Sequence, residues 1–291
     1  MKTCSKCGSS KKLSEFHKDK SALDGCTSQC SDCRNSKRRV AKHDALRRVF
    51  IWPDTHAPWH NEKSVKVALS ALTAFAPDDL AILGDFGDFY AVSRHSKSPT
   101  RLVRFTDEIR SVRKLLQKVK TAAGDARCHF IAGNHEVRLV KYLKDRAPEL
   151  FELISIPQIL GLSDRGYTYT PYGDYITIGK LALTHDIGHS GMSAHRQSLN
   201  KAGMSIVIGH THRMASVTEK QLMTQEVISG TMCGWLGSEE LMLEYMPKAS
   251  VRRYAVQGFA VAYILPDGTP DVRNIPILGG SCVIEGTVIK G

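Results

Sequence analysis

The chain has 291 residues, of which 42% are hydrophobic, and a formal net charge of +11. The length is sufficient for one large core, or for a core with a small appended module. No apolar run approaches the roughly 18 residues of a membrane span, which argues against a membrane partner. The first residues lack the apolar stretch of a secretory signal. We therefore expect a cytoplasmic protein, which for a viral chain means the cytoplasm of the host.

The cysteines are concentrated at the amino terminus, where two Cys-x-x-Cys pairs stand: Cys4 with Cys7, and Cys30 with Cys33. In a chain expected inside the cell, such pairs favour a metal over disulfides. Four thiolates would close a tetrahedral Zn²⁺ site, so the zinc would be structural. Cys26 is the alternative to Cys30 as a ligand. We predict a zinc-ribbon module over residues 1–36, with Leu13 and Phe16 as its small core.

This module resembles the short zinc ribbons that precede some phage-type endonuclease domains. It is also basic, because the first 48 residues carry 13 Lys and Arg against 5 Asp and Glu. Such asymmetry indicates contact with a polyanion such as nucleic acid, although basic runs also serve as solvated faces. Residues 37–48 form a predicted basic connector, with residues 35–46 as an exposed helix or linker. Four side chains around the junction of the module and the connector are candidate phosphate contacts: Arg34, Lys37, Arg38 and Arg39.

A second domain is predicted over residues 49–291. Five short apolar runs in its first part predict buried strands, at 49–52, 80–83, 129–132, 181–183 and 205–208. Apolar residues at helical spacing predict helices over 63–75, 101–120 and 136–146. Further strands are expected at 226–229, 258–265 and 272–278. The pattern predicts an α/β fold.

Each of the five strands leads directly into polar residues that suit metal chemistry. In chain order these groups are Asp54-Thr55-His56, Gly84-Asp85-Phe86-Gly87-Asp88, Gly133-Asn134-His135-Glu136, His185 and Gly209-His210-Thr211-His212. Because α/β folds place their chemistry at the carboxyl ends of strands, we expect these groups to meet in one crevice. Carboxylate, imidazole and amide ligands suit Mn²⁺, Fe²⁺ or Zn²⁺, and a pair of such cations can hydrolyse phosphate esters.

These groups, in this order, resemble the calcineurin-like metallophosphoesterases, whose pattern is D-x-H, G-D-x-x-D, G-N-H-[DE], a single His and G-H-x-H. The resemblance spans residues 50–212 and implies an α/β/β/α sandwich of two mixed sheets. It also implies seven ligands for two divalent cations: Asp54, His56 and His212 for the first, Asn134, His185 and His210 for the second, and Asp85 for both. His189 is the alternative to His185 as a ligand. Of the candidate cations, we expect Mn²⁺ to support activity in vitro.

The same resemblance implies that His135 protonates the leaving oxygen or stabilises the transition state. Asp88 would orient its imidazole. Glu136 is expected to cap the following helix, where a carboxylate complements the helix dipole.

The class of substrate is less directly indicated. Protein serine/threonine phosphatases of this superfamily carry Arg-Gly after the second Asp of G-D-x-x-D, whereas Phe89-Tyr90 stands here. Four other arginines could replace that group: Arg94, Arg101, Arg104 and Arg138. We favour cleavage of phosphodiester bonds in nucleic acid, docked by the zinc-binding module. The alternatives are a phosphomonoesterase or protein phosphatase, a small-nucleotide phosphodiesterase, and a non-enzymatic nucleic-acid adaptor.

Overall fold

The computed structural model describes residues 1–33, 46–99, 103–243 and 253–291. The chain divides into two compact units, Met1–Leu46 and Arg47–Gly291. The candidate phosphate contacts Arg34, Lys37, Arg38 and Arg39 lie outside the described residues, as does most of the predicted connector. In the described part of the chain, no helix is long and apolar enough to cross a membrane.

The amino-terminal unit consists of two short antiparallel hairpins. Strand β1 (Lys2–Thr3) pairs with β2 (Ser10–Lys11), and β3 (Phe16–Lys18) pairs with β4 (Cys26–Cys30). Phe16 is buried against cysteine side chains, as predicted. The prediction that Leu13 shares this core is wrong. Leu13 begins a surface 3₁₀ turn and is 45% exposed, because the cysteine cluster already surrounds Phe16.

The second unit contains two large mixed sheets. The six-stranded sheet has the spatial order β15 (Pro270–Pro276), β14 (Gly258–Ile264), β5 (Arg47–Trp52), β6 (Asp79–Ile82), β7 (Arg127–Ile131) and β8 (Tyr167–Thr170). The five-stranded sheet has the order β12 (Met214–Lys220), β13 (Val227–Cys233), β11 (Ser205–Ile208), β10 (Leu181–Thr184) and β9 (Ile176–Ile178). Strands β5 to β8 are parallel, as are β10, β11 and β13. A hairpin of β16 (Ser281–Ile284) and β17 (Thr287–Lys290) ends the chain.

The two sheets pack face to face, and helices cover their outer faces. Val49 and Ile51 of one sheet share a buried cluster with Leu183 and Val207 of the other. The larger sheet's outer face packs against α1 (Glu62–Phe75), α2 (Phe105–Ala123) and α3 (Val137–Arg146). A short helix, α4 (Ile156–Leu160), follows α3 in the chain. The outer face of the smaller sheet packs against α5 (Ala194–Ala202). A last short helix, α6, spans Glu239–Met242. The predicted α/β architecture with two mixed sheets is confirmed.

The predicted element bounds are close to those observed, with two clear differences. Helix α2 begins at Phe105 rather than at residue 101, because Arg104 has extended backbone angles and precedes the first turn. The strand expected at 226–229 continues to Cys233, where it reaches the same edge as β10 and β11. All five predicted strands that precede the candidate metal ligands are present in the structure.

A buried ion-pair cluster stabilises the amino-terminal edge of the larger sheet. Asp79 is fully buried and accepts two hydrogen bonds from the Arg47 guanidinium, at 2.6 and 2.9 Å. Arg127 and His129 contact the same carboxylate at 3.1 and 3.3 Å. Burial alone would raise the pKa of Asp79, but His129 and Arg47 hold it well below its usual range.

Asp79→Asn is expected to lower the free energy of unfolding at pH 7 by about 1–3 kcal/mol, because the arginines lose a charged acceptor. Since the folded-state pKa lies below the unfolded one, this contribution is complete above about pH 4 and disappears as the pH falls further. Denaturant unfolding of both proteins from pH 8 to pH 3 measures the difference. A difference that already shrinks between pH 8 and pH 5 would assign the effect to a group other than Asp79.

Candidate metal centre

The residues predicted to bind metal meet at the carboxyl ends of strands from both sheets. Asp54 and His56 follow β5, Asp85 follows β6, and Asn134 follows β7. From the smaller sheet, His185 follows β10, and His210 and His212 follow β11. The two sheets therefore supply donors from opposite sides of one crevice.

The first donor group is formed by Asp54, His56 and His212, whose ligand atoms lie within 4.8 Å of one another. The Asp54 Oδ2 and His212 Nε2 atoms are 3.1 Å apart, and the Nε2 atoms of His56 and His212 are 3.0 Å apart. All three side chains are buried. The three side chains are thus shielded from water, and their ligand atoms converge on one small volume.

The chemistry of this group fits a divalent cation. Two ligands at about 2.1 Å from one ion, at right angles, are themselves about 3.0 Å apart. Asp54 Oδ2 is buried, and no residue in the described ranges gives it a well-aligned hydrogen bond. A buried carboxylate oxygen without a donor is costly unless a cation or a hydrogen bond satisfies it. The residues therefore match the ion that the sequence predicts.

The second donor group contains Asp85, His185 and His210, with the Asn134 amide between the two imidazoles. Asn134 Oδ1 lies 2.9 Å from His185 Nε2 and 2.9 Å from His210 Nδ1. Asp85 also belongs to a further cluster with His56, so its carboxylate reaches both donor groups. Asp85 thus lies beside His56 of the first donor group as well as within the second, and its role as a shared ligand stays a prediction. His185, and not His189, enters the donor groups formed by the described residues.

The charges of the crevice are strongly coupled. Burial, together with the nearby His135, lowers the pKa of His56 to about 4, so this imidazole is neutral and able to bind a metal. Burial alone would lower the pKa of His185, but the Asp85 and Asp54 carboxylates raise it to about 9. Despite their burial, both carboxylates have pKa values below the usual range because of the surrounding histidines. A cation would take over this stabilising role from the imidazolium charge.

The turns that present the donors have unusual backbone conformations. Four of the seven predicted ligands have positive φ, namely His56 (55°), Asp85 (44°), His210 (62°) and His212 (55°). The loops also approach each other closely. A Cβ atom at Gly84 would lie 2.4 Å from the Gly133 nitrogen, and one at Gly133 would lie 2.2 Å from Asp85 Oδ1. The glycines of these motifs therefore allow the ligand loops to touch.

His135 lies beside the donor groups, with its ring fixed by two neighbours. Its Nδ1 is 2.7 Å from Asp88 Oδ1, which is the contact expected for an orienting carboxylate. Its Nε2 is 2.8 Å from Arg138 Nη2, and Arg138 Nη1 donates to the Asp88 carbonyl at 2.8 Å. Of the four arginines considered from sequence, Arg138 contacts the crevice residues His135 and Asp88, Arg94 pairs with Asp145, Arg104 directly precedes α2, and Arg101 lies outside the described residues.

Glu136 has a different role from the predicted helix cap. It precedes α3, but its side chain makes no capping hydrogen bond to that helix. Instead, the fully buried carboxylate accepts the backbone N–H groups of Asp85 (2.9 Å), Gly87 (3.0 Å) and Gly133 (2.7 Å). Burial and the adjacent Asp85 charge raise its pKa to about 7. One side chain thereby joins the loops that follow β6 and β7.

Sequence reasoning missed Trp235, which closes the crevice on the smaller sheet's side. Its ring is fully buried and stacks on His212, with centroids 4.7 Å apart and planes inclined by 17°. The Leu236 N–H donates to the Asp54 carbonyl at 2.7 Å, so this segment also supports the first ligand loop. A lone tryptophan after an ordinary strand carries no motif from which this contact could be inferred.

The four paired cysteines converge in the amino-terminal unit. The Sγ atoms of Cys4, Cys7, Cys30 and Cys33 lie within 4.8 Å of one another. The Cys30 N–H, with help from the Cys7 backbone, lowers the pKa of Cys4 to about 6, which favours the thiolate that zinc requires. The alternative ligand, Cys26, instead faces the Leu13 carbonyl at 3.8 Å. The arrangement is a candidate four-thiolate zinc site.

Cys4→Ser is expected to remove one equivalent of zinc and to unfold only the amino-terminal unit, because a unit this small depends on its metal. Hydrolysis of a small chromogenic phosphodiester by the second unit should remain within about twofold of wild type. Metal analysis and limited proteolysis test the first expectation. Cys26→Ser is the matched control and should keep its zinc; loss of zinc in that variant would change the ligand assignment.

No protein-family model matches the chain. The chain is 28% identical to the Gene 54 protein of Mycobacterium phage L5, over 83% of this chain and 98% of that protein. It is 26% identical to the Gene 54 protein of Mycobacterium phage D29, over 57% of this chain and 69% of that one. A solved structure, TT1561 of Thermus thermophilus, covers 79% of this chain and 99% of its own at 7% identity, with a TM-score of 0.34. A TM-score this low supports no inference about the site.

Proposed function

We propose that the protein is a dimetal phosphoesterase that cleaves phosphodiester bonds, with nucleic acid as its substrate. The observation that carries the proposal is the position of Asp85, whose carboxylate lies within reach of both donor groups. Two three-donor groups joined by one carboxylate form the ligand set of a two-cation site. Similarity to phage proteins is compatible with an enzyme that works in the cytoplasm of a bacterial host.

The roles of the side chains follow from the geometry. Asp54, His56 and His212 would hold one cation, and Asn134, His185 and His210 the other, with Asp85 shared. When bound, a pair of such cations activates water and neutralises phosphoryl oxygens. Burial alone would lower the pKa of His135, but Asp85 and Asp88 raise it, which favours the imidazolium that would protonate the leaving oxygen. In this structure Arg138 Nη2 donates to His135 Nε2 at 2.8 Å, so that role requires the guanidinium to move from Nε2 onto a phosphoryl oxygen. Arg138 adds a guanidinium at the same point, where it can bind a phosphoryl oxygen.

His135→Ala is expected to keep its bound metal but to lose turnover by about 10²–10⁴-fold, because the site loses its general acid. The loss should be greatest for poor leaving groups, which depend on protonation, and smallest for p-nitrophenolate. A series of phenyl-substituted phosphodiesters, with metal content measured in parallel, tests this. Loss of metal from the variant would make His135 a ligand instead.

Nucleic acid is proposed as substrate because the basic charge is concentrated in the zinc-binding unit and its connector. Arg34, Lys37, Arg38 and Arg39 are proposed to contact phosphates, bringing a phosphodiester to the crevice. Such contacts give affinity without sequence selection, and their strength falls steeply with salt.

The test uses the full-length protein with Mn²⁺. Hydrolysis of bis-p-nitrophenyl phosphate, p-nitrophenyl phosphate and labelled single- and double-stranded DNA and RNA is compared. Replacing Arg34, Lys37, Arg38 and Arg39 with Gln should weaken cleavage of nucleic acid but leave the chromogenic diester unaffected. The control replaces four exposed lysines of the second unit with Gln: Lys66, Lys114, Lys118 and Lys220. Cleavage of the monoester alone would make the protein a phosphatase. If both variants weakened cleavage of nucleic acid equally, the proposal that Arg34, Lys37, Arg38 and Arg39 dock the substrate would be wrong.

A further inference from the structure

A cavity of about 620 Å³ lies on the outer side of the smaller sheet, next to the metal centre. Its apolar floor is formed by Ala182 of β10, Ile206 of β11 and Met204. Its rim carries two tyrosines, a carboxylate and an ammonium group, from Tyr172, Tyr175, Asp186 and Lys201. Cavities of this size and composition are typical of small-molecule sites.

The cavity and the metal centre share a wall. Tyr172 lines the cavity, and its ring lies 6.0 Å from the His185 ring, in an edge-to-face arrangement. The Tyr172 hydroxyl donates to Asp186 Oδ2 at 2.9 Å, and Asp186 directly follows His185 in the chain. The Tyr172 ring therefore lies between the predicted ligand His185 and the cavity.

The two tyrosine side chains of this rim are exposed to solvent. Tyr175 is 62% exposed and Tyr172 is 39% exposed, although both border an apolar floor. An exposed aromatic ring beside an apolar slot is a stacking surface for a flat ring, and every nucleobase has such a face. The Asp186 carboxylate at the same rim can accept hydrogen bonds from the amino and imino groups of a base edge. The Asp186 oxygens already accept the Tyr172 hydroxyl at 2.9 Å and the Gly188 N–H at 2.8 Å, and each keeps a further lone pair for a base edge. A flat ring with polar edges can use this acceptor, whereas a lipid chain cannot.

We propose that this cavity binds the nucleobase adjacent to the scissile phosphate, stacked on Tyr175. The proposal rests on the proposed function, because it places that phosphate at the metal centre. Its consequence is a preference for phosphodiesters that carry a nucleoside over those that carry a simple alkyl group. The preference belongs to binding and not to the chemical step, since the leaving group and its proton donor are unchanged.

The test compares two esters that share one leaving group, the p-nitrophenyl ester of thymidine 5′-phosphate and methyl p-nitrophenyl phosphate. Base stacking of about 1–3 kcal/mol predicts a KM about 5- to 150-fold lower for the nucleoside ester. Tyr175→Ala should raise that KM by about 10-fold, leave kcat unchanged and have no effect on the methyl ester. Tyr175→Phe should behave as wild type. Tyr142→Ala on α3 removes a tyrosine that is similarly open, 42% exposed, and should change neither ester.

Direct binding separates this inference from the proposed function. Thymidine 5′-monophosphate and adenosine 5′-monophosphate are titrated calorimetrically into the full chain and into Tyr175→Ala. Hydrolysis of both esters with equal KM values, unaffected by Tyr175→Ala, would overturn the cavity assignment while the phosphoesterase stands. If neither ester is hydrolysed but both nucleotides bind and Tyr175→Ala weakens them, the proposed function fails and the cavity assignment stands.

Discussion

Asp85→Asn is expected to lower the turnover of bis-p-nitrophenyl phosphate by more than about 100-fold. Loss of groups that merely support metal ligands typically costs about 10–100-fold, and Asp85 is proposed to be a ligand of both cations. Its Oδ2 lies 3.5 Å from His185 Nε2, and its Oδ1 accepts the backbone N–H of His135 at 2.8 Å. An amide at this position keeps the shape but removes a negative charge between the donor groups. Bound Mn²⁺, measured by atomic emission after dialysis, should fall together with the rate.

The matched control is Asp79→Asn, which changes another buried aspartate six residues earlier, at the opposite end of β6. Below its melting temperature this variant should retain wild-type turnover and metal content per folded molecule. Normal activity of Asp85→Asn would refute the ligand assignment. Equal losses in both variants would show that the effect reflects damage to the sheet.

Glu136→Gln is expected to weaken Mn²⁺ binding by about 10–100-fold and to lower the free energy of unfolding by about 1–3 kcal/mol. The carboxylate offers both oxygens to backbone N–H groups, Oε2 to Asp85 and Gly133, and Oε1 to Gly87. Glutamine has only one oxygen, so its amino group must face a backbone N–H. Titration of activity with Mn²⁺ should therefore give a higher half-saturating concentration, with much of the rate recovered at saturation.

Glu108→Gln provides the comparison, because Glu108 is also fully buried and accepts the backbone N–H groups of Tyr90 (2.7 Å) and Ala91 (3.1 Å). It should lose a similar amount of stability with little change in Mn²⁺ affinity. A Mn²⁺ affinity that is the same in both variants would mean that Glu136 does not position the ligand loops.

The ligand groups were predictable because each follows its own strand within a few residues, and parallel strands bring their carboxyl ends together. His185 was preferred to His189 for this local reason, and it is the histidine that reaches Asn134. The N-terminal module was predictable from the spacing of its cysteines. In both cases the signal lies within a short stretch of sequence.

The contacts that the sequence does not reveal are those between distant segments. Glu136 has the composition of a helix cap, and only the approach of the β6 and β7 loops makes it their shared acceptor. Trp235 lies beyond the motifs and reaches His212 through the pairing of β12 with β13. Tyr172 and Tyr175 line one cavity together with Lys201 and Ala202 of α5, which come from a distant part of the sequence. Such features require the tertiary structure because residue type and spacing do not encode them.

The left-handed backbone at His56, Asp85, His210 and His212 sets stability against function. Non-glycine residues in this conformation cost about 1–2 kcal/mol each, and glycine would relieve that cost at every one of these positions. The same replacement would delete a ligand, so the changes that most easily stabilise these turns are those that destroy the centre. Selection for stability alone would therefore favour glycine at these four turns. This chain carries a metal-type side chain at each of them, which is the residue choice that a metal centre requires and that backbone stability opposes.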